Sequence, residues 1–356
     1  MNKRLLLSLI LVVVLAVPVF SVSAQDDEPF KVAVVMPSTV NDLAFSQSMY
    51  DSLLAVQEEM GGEEAFQFVY SENMFVIDDA ATAIRDYASQ GYNLVIAHGS
   101  QYGSSLQEIA PDFPDTAFAW GTTVDTFVDQ GIDNIFAYEA RAEEGGYVNG
   151  VIAAMLSESG TIGVVGPIET GDAKLYVDGF KAGVLSVNPD ADVLVNYIQS
   201  FSDLSLAAAA AETMLDEGAD VLTGTAQMVP GAIGKAQEAG ALWFGTQADQ
   251  TSLAPDVVVA NQVYDWTVVL DEMIAKIQEG QMGGEAFAIT LENGGELITF
   301  NEDYELPEDV LAAAEDAIDQ IASGAITFSV DEEGMLNVEM GEPMMEGTAE
   351  ATEAAS

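Results

Sequence analysis

Short apolar runs alternate with amphipathic helical stretches along most of the chain, and the alternation restarts once near the middle. Residues 31–36 read as a strand. Asn41-Asp42 then open a helix whose apolar residues Phe45, Met49, Leu53 and Val56 fall on one face. Strand signals follow at 66–70, 93–97, 116–120 and 135–138, separated by helices that stop at turn residues such as Gly91. A second series runs through strands at 161–165, 193–197, 220–223 and 242–245. Strands that are apolar throughout and spaced by helices imply parallel sheets covered on both faces. Two such series predict an α/β protein of two doubly wound lobes joined by a hinge. The first lobe is expected to take residues 31–139 plus 264–285, and the second 140–262 plus 286–328. Residues 287–291 and 297–300 read as a strand pair around Gly294-Gly295.

The ends read differently. Lys3 and Arg4 precede an apolar run over residues 5–20, and Val22-Ser23-Ala24 supplies the small side chains of a cleavage site. Residues 1–24 are therefore expected to be a signal peptide, with an uncleaved anchor as the alternative, and the protein to be exported, periplasmic or cell-surface associated. The chain has no cysteine, so a cysteine-linked lipid, disulfides and thiolate metal sites are excluded. Residues 329–356 are rich in Met, Glu, Ala and Thr without periodicity, and are expected to be a disordered acidic tail.

Charge narrows the partners. Against 59 acidic residues stand 9 basic ones, a formal net charge of −50. Nucleic acids and anionic membranes would be repelled, whereas neutral or cationic small molecules meet no such barrier. The only histidine, His98, ends a predicted strand, where it either lines a pocket or serves as a structural histidine. No G-x-S-x-G elbow accompanies it, and no H-E-x-x-H, EF-hand or P-loop pattern occurs. The glycines of residues 160–166 sit in strand material, not in a strand-to-helix turn. The reading is of a binding protein: no enzyme, no cofactor, no metal.

The stretch Val32-Ala33-Val34-Val35-Met36-Pro37, with Asn41-Asp42-Leu43-Ala44-Phe45-Ser46-Gln47, resembles the opening of the basic membrane protein family of solute-binding proteins. Further matches follow in order: Ala110-Pro111-Asp112-Phe113-Pro114-Asp115, Glu144-Gly145-Gly146-Tyr147-Val148-Asn149-Gly150, Gly179-Phe180-Lys181-Ala182-Gly183, Ser200-Phe201-Ser202-Asp203, Gly218-Ala219-Asp220-Val221 and Ala248-Asp249-Gln250. The resemblance implies a type I periplasmic-binding fold that delivers a purine base or purine nucleoside to an ABC-transporter permease, acting as a monomer. A sensor domain signalling to a membrane partner, or a binder of another small neutral solute, is the alternative. It also implies that Phe45 and Phe201 clamp the ring, one from each lobe. By periodicity alone Phe45 is equally a core aromatic. Asp249 matches the second acid of the family's Asp-x-Asp-Gln pattern and is expected to bind ribose hydroxyls or a ring N–H. Gln247 replaces the first acid, and a lysine common in nucleoside binders is replaced around Tyr264-Asp265-Trp266. Asp42, Tyr102, Thr225 and Gln227 complete the expected ligand-binding set.

Overall fold

The computed structural model describes residues 28–341. The first lobe contains β1 (Phe30–Val35), α1 (Phe45–Glu59), β2 (Phe66–Ser71), α2 (Ile77–Ser89), β3 (Leu94–Ala97), α3 (Gly103–Ile109), β4 (Ala117–Gly121) and β5 (Ile135–Ala140). Its strands lie in the order β2-β1-β3-β4-β5, all parallel. Val32 through Val35 are fully buried because helices cover both faces of the sheet.

The second lobe repeats this plan. It contains α4 (Ala142–Leu156), β6 (Thr161–Gly166), α5 (Gly171–Val187), β7 (Asp192–Tyr197), α6 (Leu204–Asp216), β8 (Val221–Gly224), α7 (Val229–Ala239), β9 (Leu242–Gln247) and β10 (Val258–Tyr264). The order β7-β6-β8-β9-β10 matches that of the first sheet strand for strand. Both sheets therefore change winding direction beside their first strand, which places a ligand crevice at the carboxyl ends of the strands. The expected α/β class with two parallel-sheet lobes is the fold observed.

After β10 the chain returns to the first lobe with α8 (Thr267–Gln278), which packs on α1. Next come β11 (Ala286–Ile289), β12 (Glu296–Phe300) and α9 (Glu308–Ala322), the last lying against α4. The lobes are thus joined by three crossings: Ala140 to Ala142, Tyr264 to Thr267, and Ile289 to Glu296. No helix among the described residues is long and apolar enough to cross a membrane.

Two expectations need correction. The strands around Gly294-Gly295 do not pair with each other. β11 joins β5 in parallel in the first sheet, while β12 joins β10 antiparallel in the second. Each strand completes an open sheet edge, which a lone two-stranded ribbon would leave bare. The last crossing consequently falls after Ile289, and residues 286–289 belong to the first lobe. The tail also begins later than residue 329. β13 (Ile326–Val330) and β14 (Leu336–Met340) form an antiparallel hairpin whose turn is held by Asp331, which accepts from Glu333 N–H at 3.0 Å and Met335 N–H at 2.8 Å. Phe328 packs edge-on to Tyr147 of α4, giving the hairpin a core contact that composition conceals. The expected signal peptide and the tail from residue 342 lie outside the described residues.

Candidate functional site

Between the lobes lies a cavity of about 480 Å³, mouth included. Its walls come from loops at the carboxyl ends of strands in both sheets, as the winding predicts. Pro37, Phe45, Phe75, Gln101 and Thr122 face it from the first lobe, and Asp172, Phe201, Gln227 and Gln247 from the second.

Phe45 opens α1, whose start is fixed by Asp42. That carboxylate accepts from the N–H groups of Ala44 (2.9 Å), Gln47 (3.1 Å) and Ser46 (3.3 Å). It satisfies orphan donors of the first turn and so caps the helix instead of facing the cavity. One face of the Phe45 ring lies flat on His98, with centroids 3.7 Å apart and planes 5° from parallel. His98 Nε2 bonds the Phe45 carbonyl at 2.9 Å, and Nδ1 lies 2.7 Å from the Tyr138 hydroxyl. A carbonyl can only accept, so Nε2 carries the proton and Nδ1 accepts from Tyr138. Burial depresses the imidazole to a pKa of about 3 and keeps it neutral. His98 is therefore a structural support for Phe45. Trp266 meets Phe45, His98 and Tyr138 edge-on and donates its indole N–H to Ser48 at 2.9 Å. It is fully buried and braces the stack from behind.

Across the cavity, Phe201 is half-buried in the loop between β7 and α6, whose first turn is capped by Asp203. Ala226 follows β8 and Gln247 ends β9 in left-handed backbone conformations (φ +76° and +68°), and Thr122 follows β4 at +64°. Non-glycine residues held there cost of order 1–3 kcal/mol each and concentrate where a fold aims side chains at a ligand. Thr122 Oγ1, Gln247 Oε1 and both carboxylate oxygens of Asp172 are buried without a hydrogen-bond partner.

Of the expected residues, Phe45, Phe201, Gln227 and Gln247 come together around the cavity. The others do not line it. Tyr102 is buried, and its hydroxyl donates to the Met74 carbonyl at 2.8 Å, which steadies the segment carrying Phe75. Thr225 is buried one residue before Ala226. Asp249 lies in a separate groove beside Tyr264 and Asp265, accepting from Thr251 N–H (2.8 Å) and Asn261 Nδ2 (3.1 Å). Its neighbour Gln250 instead reaches across the crevice, donating from Nε2 to the Leu43 carbonyl at 3.3 Å. Phe75, Thr122 and Asp172 were missed. Each follows the carboxyl end of a strand, so the position of those loops was the available signal. Among 59 acidic residues, Asp172 had no mark of its own.

A hinged pair of doubly wound lobes walling one aromatic-lined cavity defines a solute-binding protein of the periplasmic-binding type. The chain belongs to the Bmp family, described as ABC transporter substrate-binding protein PnrA-like, whose model matches residues 30–327. It is 28% identical to a purine-binding protein of Brucella abortus over 304 residues, 85% of this chain and 84% of that one. It is 26% identical to a putative ABC transporter glucose-binding protein of Haloferax volcanii, over 86% of this chain and 78% of that one. A solute-binding protein of an ABC transporter system from Aeropyrum pernix superposes with a TM-score of 0.71 at 21% identity, covering 85% and 94% of the two chains.

Proposed function

We propose that this protein captures a purine base or purine nucleoside outside the cytoplasm and presents it to an ABC-importer permease, without chemical change to the ligand. One observation carries the reading: Phe45 and Phe201, from opposite lobes, both line the same cavity. A flat ring held between them would gain roughly 1–3 kcal/mol per stacked face. Both faces are buried together only when the lobes close, so binding and closure are coupled. The Phe45 ring is already held in place by His98 and Trp266, so ordering it costs little on binding. The purine-binding relative in Brucella abortus supports the same reading.

The test is a thermal-shift and calorimetric screen of nucleobases, nucleosides, monosaccharides and amino acids. A bound ligand raises the melting temperature by mass action. Purines should respond, and Phe45→Ala and Phe201→Ala should each weaken binding by roughly 10- to 100-fold. A response to monosaccharides with silence from every purine overturns the reading.

A further inference from the structure

The polar atoms left unpartnered around the cavity are mainly acceptors. They are both oxygens of Asp172 and Oε1 of Gln247, joined by the Thr122 hydroxyl, which can act either way. Asp172 sits in the first turn of α5 at 3% exposure. Its surroundings withhold compensation. Arg141 is committed to Glu143 at 2.6 Å and also reaches Glu139 at 3.9 Å. Burial first, and then the charge of Glu139, push the Asp172 carboxyl well above the usual carboxylate range; the backbone N–H groups of Asp172 and Ala140 oppose this without reaching hydrogen-bond geometry. A ligand acceptor placed here would add repulsion. A ligand donor would satisfy atoms that otherwise stay desolvated and unpaired.

We propose that Asp172 is the specificity-determining residue of the cavity, and that it selects flat ligands with two adjacent N–H donors on one edge. This rests on the purine reading and narrows it. A guanine-type ring carries a ring N–H beside an exocyclic amino group; these two donors favour the ionised form against the upward shift, and each carboxylate oxygen receives one of them in a bidentate pair. An adenine-type edge sets its amino group beside a bare ring nitrogen. A hypoxanthine-type edge offers a single N–H beside a carbonyl. Neither matches two acceptors. Gln247 Oε1 and the Thr122 hydroxyl remain to take a further donor. Asp249, in its separate groove, is not the acid that reads this edge.

Guanosine, inosine and adenosine differ at that edge alone, so calorimetric titration of the full chain with the three isolates it. The wild type should bind guanosine in preference to inosine. Asp172→Asn replaces one acceptor by a donor and should lose roughly 10- to 100-fold for guanosine, the worth of a charge-assisted pair, with little change for adenosine. Asp172→Ala should lose the same preference, which rules out an effect peculiar to the amide. Should either variant fail to fold, the wild-type guanosine-to-inosine ratio still decides, and a ratio of one overturns the proposal. A uniform loss for all three nucleosides, or none, overturns it while leaving purine capture intact. A monosaccharide bound in preference to every purine, or silence from all of them, overturns both.

Discussion

At the scale of single residues, the site depends on keeping a histidine uncharged. His98 supports Phe45 through a flat stack and a bond to its carbonyl, and burial lowers its pKa from the usual 6.5 to about 3. The folded value lies below the unfolded one, so the stabilisation is complete above about pH 6.5 and is lost progressively as pH falls toward 3. The loss amounts to several kcal/mol, on the order of one for each pH unit in that window. Buried acids run the other way: Asp172 and Glu296 are raised by burial, so their protonated forms favour the fold at low pH. Comparing variant with wild type separates the two trends. His98→Gln should be less stable than wild type at pH 7.5, with a gap in urea midpoint that shrinks steadily as pH falls toward 4. A gap independent of pH would mean that the ring is not buried neutral. This was the least legible part of the sequence. His98 was visible as the lone histidine at a strand end, yet its partner lay 53 positions away, and only the packed first lobe brings the two rings together.

At the scale of elements, two motifs recognisable in the sequence acquire a mechanical reason. Gly146 and Gly150 on α4 face Gly179 and Gly183 on α5, and the helices approach until backbone meets backbone. A Cβ at Gly150 would lie 2.1 Å from the Phe180 carbonyl oxygen, and one at Gly183 equally close to that of Tyr147. Carbonyl oxygens within a helix cannot swing aside, so the helices must separate to admit even a methyl group. Gly150→Ala is therefore expected to cost roughly 2–4 kcal/mol net, even after the gain of about 1 kcal/mol expected from helix propensity. Denaturant unfolding at pH 7.5 checks this, and a neutral or stabilising result would refute the close packing. Strands and helices were legible because each repeats one burial pattern over a window of its own length. The misplaced strand pair shows where that reading stops: pattern marks a strand but does not choose its partner. The choice went to the open edges beside β5 and β10.

At the scale of the molecule, lobe closure and net charge act against each other. The Asn41-Asp42 turn and the Ala248-Asp249-Gln250 loop, far apart in sequence, meet where Gln250 Nε2 donates to the Leu43 carbonyl, a hydrogen bond between lobes. Closure also brings two strongly acidic bodies together. With 59 acidic and 9 basic residues, and Arg85, Arg141, Lys174, Lys235 and Lys276 already each beside an acid, little of the repulsion is cancelled internally. Mobile counterions must cancel the rest. The screening length falls from about 30 Å at 0.01 M salt to about 3 Å at 1 M, so repulsion across a lobe is strong at the first concentration and negligible at the second. The melting temperature should therefore climb steeply with sodium chloride up to several tenths molar and then level off. Ligand affinity should rise over the same range, because the closed state gains most from screening. A melting temperature that is flat below about 0.5 M, or that climbs only above 1 M as general salting-out would produce, would show that charge repulsion is not what limits this fold.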